Sequence, residues 1–177
     1  MLLSQAKDPA FWQTVRTDTA YQPIIAHLRS IYESSFYNEI PALPYHARMR
    51  FYSDGDRSEF EAPYFRRRAF LATAALLFLI YPEETHYLNE VHRVLWAICD
   101  EYTWAVPAHT NGTLEDDLTN VDLFNAETVL TTWALGGVAI LLFVRYQRSK
   151  GKGKGHQGTE LEDMSCKAAL TVGFMQC

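Results

Sequence analysis

Side chains able to do chemistry concentrate in one stretch of the 177-residue chain, residues 94–128, VLWAICDEYTWAVPAHTNGTLEDDLTNVDLFNAET. Trp104 sits between Thr103 and Ala105 in a segment without helical periodicity, where an aromatic face can stack on a sugar ring or plug a helix end. His109, after Pro107-Ala108, can contact a substrate or transfer a proton; a hydrogen-bonded histidine on a rim is the plainer alternative. Glu101 falls near a helix C-terminus, where the dipole disfavours a carboxylate, so a paired or functional role is expected of it. Asp122 stands where a helix begins and reads as a cap. Glu115, Asp116 and Asp117 could attract a cation, but they lack the spacing of a calcium loop and read as a solvated turn. Cys99, next to Ile98, reads as inert core packing rather than a nucleophile. None of these residues is identified as catalytic by type alone, and neither a metal nor a cofactor is expected.

Upstream, Arg66, Arg67 and Arg68 precede the uncharged run AFLATAALLFLIY, residues 69–81, which is too short to span a bilayer and reads as a buried helix. Cations in a first helical turn oppose the dipole and call for partners, the nearest carboxylates being Glu59, Glu61, Asp54 and Asp56. An ion-pair cluster is the first expectation. Binding of an anionic substrate, with Arg67 as its contact, is the second.

The elements that must position these residues read as helix after helix. Asp8-Pro9 has the form of an N-cap and first helical residue, with Phe11, Trp12 and Val15 on one face. Ile24, Ile25, Leu28, Ile31, Tyr32 and Phe36 recur at three- and four-residue steps in a second helix. Residues 38–63, punctuated by Pro41, Pro44, Asp54-Gly55 and Pro63, read as a long loop, and 103–120 as another. Between them Pro82-Glu83-Glu84 opens a helix whose buried face is Leu88, Val91, Leu95, Ile98 and Tyr102. A further helix begins near Val121. With no alternating strand pattern, the fold class is all-α, built of antiparallel helix pairs.

Composition narrows the partners. Hydrophobic residues at 48% supply a core, so the chain is not disordered. The net charge of -5 is divided unevenly: residues 145–177 carry six Lys and Arg against three Asp and Glu, leaving ten against eighteen in the body. An acidic body argues against nucleic acid. Cys99, Cys166 and Cys177 show no CxxC spacing, which fits a reducing compartment without structural zinc, and no export signal is visible at the start, so a cytoplasmic location is expected. Asn111-Gly112-Thr113 matches a glycosylation sequon and reads as a turn. Residues 128–144 are uncharged and followed by a basic Gly/Lys run, the outline of a membrane span with a positive flank. Its borderline length, Gly136-Gly137 and the topology it would impose make the span the less favoured alternative, and the Gly/Lys run reads as a flexible segment.

Three segments taken together, GDRSEFEAPYFRRRAFL from Gly55, LWAICDEYTWAVPAH from Leu95 and VDLFNAET from Val121, resemble the N-terminal helical region of heparinase II/III-like polysaccharide lyases, in the same order. The resemblance covers about residues 11–134 and implies a partial α/α toroid over 1–134, with an unrelated, poorly ordered tail over 135–177. It implies an acidic polysaccharide or oligosaccharide as partner, with Trp104, His109, Glu101 and Arg67 as contacts on one wall of a groove. The chemistry implied is β-elimination at a uronic acid: a base takes the C5 proton, an acid protonates the leaving 4-oxygen, and a neutralising group stabilises the enolate-like charge. The family's later helix pairs and Asn-rich catalytic segment find no counterpart after Ala134, so the chain is expected to be inactive alone and, with an unfinished helix face exposed, to self-associate. A carbohydrate-binding module without chemistry is the remaining alternative.

Overall fold

The computed structural model describes residues 5–35 and 39–132, in which seven α-helices and three 3-10 turns alternate with no strand among the described residues. The all-α class follows directly. The proposed 135–177 tail, Phe36 and most of 128–144 lie outside the described residues, and no described helix is long and apolar enough to cross a membrane.

Helix α1 (Pro9–Thr17) begins as its sequence requires, Asp8 accepting from the Ala10 amide at 2.9 Å with Pro9 at the first helical position, and α2 (Gln22–Ser35) follows with Ile25 buried but Ile24, expected on the same face, exposed. They press Val15 and Ile25 against Ile80, near the end of α4 (Ser58–Ile80). Two guanidiniums, Arg16 and Arg29, lie over the Tyr81 ring at the same end and pair with Glu83 and Glu84.

Helix α4 is the hub. It packs against α1, α2, α3 (Tyr45–Asp54), α5 (Thr85–Cys99) and α7 (Leu123–Thr131), which is why residues 70–80 are apolar on nearly every face. It starts eleven residues before Ala69, so Arg66, Arg67 and Arg68 stand inside it and the dipole argument for their pairing does not apply. Pro63 misleads as a breaker: it occupies the sixth position of α4, near enough to the N-terminus that few helical bonds are lost. Asp56 receives the Ser58 amide at 2.8 Å, and Glu59 and Glu61 suit the first turn.

A short turn over 81–84 returns the chain as α5, antiparallel to α4, since the Ala97 carbonyl near the end of α5 meets Arg67 in the first half of α4. Glu83 and Glu84 precede α5 rather than forming its first turn. Leu88, Val91 and Ile98 are buried as expected, joined by Tyr87 and Val94, but Tyr102 is exposed because the helix ends at Cys99 and its periodicity ends with it.

Both long loops contain helices that pattern reading does not find. In α3 the buried positions are Ala47 and Arg48, so no apolar stripe announces it; Gly55 closes it at φ +80°, sending its amide to Arg50 and Phe51 carbonyls. In 103–120, a 3-10 turn at Pro107–His109 precedes α6 (Leu114–Thr119), capped by Thr113. The Asn111-Gly112 turn before it stands as read, with Gly112 at φ +81° against the Tyr52 ring.

Candidate functional site

Two ion-pair systems tie the later chain to α4 and α3, and a groove of about 430 Å³ opens between them. In the first, the Glu101 carboxylate, just beyond α5, takes Arg68 at both oxygens (Nη1 to Oε1 2.8 Å, Nη2 to Oε2 2.6 Å) and Arg67 at one (Nη1 to Oε1 3.0 Å). Arg67 also donates to the Pro41 and Ala97 carbonyls, 2.8 and 3.0 Å away. Arg68 lies 3.5 Å from the Tyr64 ring centroid and reaches Thr128 Oγ1 at 3.1 Å, fastening α7 to α4. An ion-pair cluster thus exists as expected, but with Glu101; Asp54, Asp56 and Glu59 instead surround Arg50, while Glu61 pairs with Arg57.

In the second system Arg48, 3% exposed, pairs with Asp117 through Nη2 to Oδ1 at 2.6 Å and Nε to Oδ2 at 3.2 Å, and donates to Ala105 O and Thr110 Oγ1. Asp117 is therefore a buried partner, not part of a solvated turn. Its neighbours Glu115 and Asp116 do sit in the first turn of α6, where the dipole favours them.

The groove floor holds Phe60, Arg48 and Arg67, and its sides carry Tyr45 from α3, Trp96 from α5 and Tyr102 from just beyond it. Those three rings are 73%, 80% and 53% exposed. Together the three open rings give the groove an apolar, aromatic wall. Sequence periodicity contains the signal for Trp96: with Leu88, Val91 and Ile98 inward, it falls on the outer face. Tyr45 and Arg48 carry no such signal, because α3 has no apolar stripe.

Of the residues singled out above, Arg67 and Glu101 meet in this groove; Trp104 and His109 do not line it. Trp104 is 3% exposed and donates its indole N–H to the Ile98 carbonyl at 2.9 Å, so it plugs the end of α5 and has no free face for a sugar. His109 bonds Asp122 through Nδ1 at 2.7 Å and stacks parallel to Phe124, the hydrogen-bonded rim arrangement. Asp122 is also the cap of α7, accepting from Asn125, and it receives the Val106 amide. Cys99 is exposed, contrary to its reading as core; partial desolvation and nearby Glu101 raise its thiol pKa, which disfavours the thiolate.

No family model and no curated protein matches this chain.

The arrangement can grip a ring face and one anion. No imidazole is among the lining residues; the titratable groups there besides the arginines are Tyr45, Tyr102, Asp100 and Glu101, and Tyr64, stacked on Phe60, is buried with its phenol pushed up to about 12 by desolvation. Among the described residues no cluster of His, Cys, Asp or Glu could hold a metal.

Proposed function

We propose that this domain is one wall of an α/α toroid of the heparinase II/III-like kind and that it binds an acidic oligosaccharide without cleaving it. The observation that carries this reading is Trp96, 80% exposed on the side of a groove whose floor holds Arg67. Aromatic faces beside a guanidinium suit a charged sugar: the ring's C–H face stacks, and its carboxylate meets a charged N–H donor. Elimination would further require a base at C5 and an acid at the leaving oxygen; the phenols of Tyr45 and Tyr102 line the groove with no histidine among the lining residues, which supports binding over cleavage.

The toroid part of the proposal is supported by a second exposed surface, formed by α6, α7 and the link between them. Leu118, Val121, Leu123, Val129 and Leu130 are all exposed along α6 and α7, as they would be where a further helix pair belongs. Self-association of the chain through that face belongs to the same proposal.

Calorimetric titration of the whole chain with an oligouronate checks the binding. Saturable binding is expected, weakened at least about tenfold in Trp96→Ala, the weight of one aromatic hot spot. The thermal midpoint should not move, because the ring buries little. Ultraviolet absorbance from unsaturated uronate should not grow on incubation. Equal binding by Trp96→Ala, or a growing absorbance, would overturn the reading.

A further inference from the structure

We propose that Asp100 is the specificity-determining residue of the groove, restricting it to saccharides with a single anionic group per ring and turning away densely sulfated chains. This rests on the saccharide-binding reading above. The argument is a charge count within bonding distance. Arg48 is matched by Asp117 at two contacts, and Arg68 is matched by Glu101 at both carboxylate oxygens. Arg67 touches only Oε1 of Glu101, which already accepts from Arg68, and its other acceptors are the neutral carbonyls of Pro41 and Ala97. Three guanidiniums therefore share two carboxylates, and the surplus charge rests on Arg67, whose side chain is 11% exposed in the groove floor.

A desolvated guanidinium with half a counterion gains from one further carboxylate; with Nε and Nη1 already donating to the Pro41 and Ala97 carbonyls and to Glu101, Nη2 is the nitrogen left to meet it. Asp100 supplies no such charge to it. Asp100 is exposed at the groove and makes no ion pair or side-chain hydrogen bond among the described residues, so no bonded cation offsets its carboxylate there. A ring bearing one carboxylate can place that group on Arg67 and its apolar face on Trp96 or Tyr102. Each added sulfate would find no second surplus cation in the lining and would meet Asp100 instead, and like charges brought together in a partly closed groove discriminate strongly.

The test compares wild type, Asp100→Asn and Arg67→Ala against three hexasaccharides of matched length: an oligomannuronate, a heparin fragment and a neutral cello-oligosaccharide. Wild type should bind the uronate about tenfold more tightly than either other probe. Asp100→Asn should strengthen heparin binding about three- to tenfold and narrow the gap, with the far-ultraviolet circular dichroism unchanged, since Asp100 is exposed and unpaired. Arg67→Ala should reduce the uronate to the neutral level; if it fails to fold, the Asp100→Asn ratio alone decides. Heparin bound as tightly as uronate by wild type, a neutral chain bound equally well, or a ratio unmoved by Asp100→Asn would each overturn the proposal while leaving saccharide binding intact. Binding of none of the three would sink the saccharide reading itself.

Discussion

Glu101 holds two arginines of α4 to the segment after α5. Its side chain is 2% exposed and balances two arginines, themselves 11% and 8% exposed. Pairs buried this deeply are close to neutral in net worth when intact, because desolvation offsets attraction, but breaking one strands an uncompensated charge. Glu101→Gln keeps the shape and removes the charge. It should lower unfolding free energy by about 3–5 kcal/mol, measured by urea titration. The shared carboxylate also explains why a glutamate near a helix C-terminus is tolerated: two guanidiniums outweigh the dipole's local cost of about 0.3–1 kcal/mol. That Glu101 needed a partner was legible from its position. That the partners are Arg67 and Arg68, more than thirty residues earlier, required the α4–α5 hairpin to bring them together.

Among the elements, α7 shows how much one cap can organise. Asp122 accepts from the Asn125 amide at 2.8 Å as a cap does, and its second oxygen takes the Val106 amide at 3.2 Å and the His109 ring at 2.7 Å. Removing it should release the helix start and the Pro107–His109 turn together. Asp122→Ala is expected to cost about 2 kcal/mol, the upper end for a cap, and to raise amide exchange at Val106 as well as Asn125. An effect confined to Asn125 would show the cap acting alone. Capping signals of this kind were readable at Asp8 and Asp122, because the interaction is local in sequence. The start of α4 was not, since Pro63 mimics a boundary, and α3 was not, since its inward positions are an alanine and an arginine rather than an apolar stripe.

At the scale of the whole molecule, Tyr64 sits where α4, α7 and the Trp104 segment meet. Its hydroxyl donates to the Trp104 carbonyl at 2.7 Å and pairs with Thr128 Oγ1 at 3.2 Å. Burial pushes its pKa up from the ordinary 10 to about 12, and Tyr87 is shifted in the same direction by the same cause. A raised phenol pKa means that the folded state holds its proton more tightly than the unfolded state. The corresponding stability is full below pH 10 and is lost as pH rises through 12, about 2–3 kcal/mol for Tyr64. Alkaline unfolding followed by circular dichroism should therefore steepen between these values. Tyr64→Phe, though less stable at neutral pH for loss of two hydrogen bonds, should show a shallower decline over the same range.

What the sequence determined by itself was local or periodic: the all-α class, the caps at Asp8 and Asp122, the Gly112 turn, and the inward faces of α1 and, as far as Ile98, α5. These depend on neighbours within one or two helical turns, so spacing and residue type suffice. The tertiary structure decided which of the conspicuous residues face a groove. Trp104 turned inward to close α5, His109 turned to Asp122, and the open aromatics proved to be Tyr45, Trp96 and Tyr102. A side chain's availability depends on what packs over it from distant parts of the chain, and burial of that kind has no local signature.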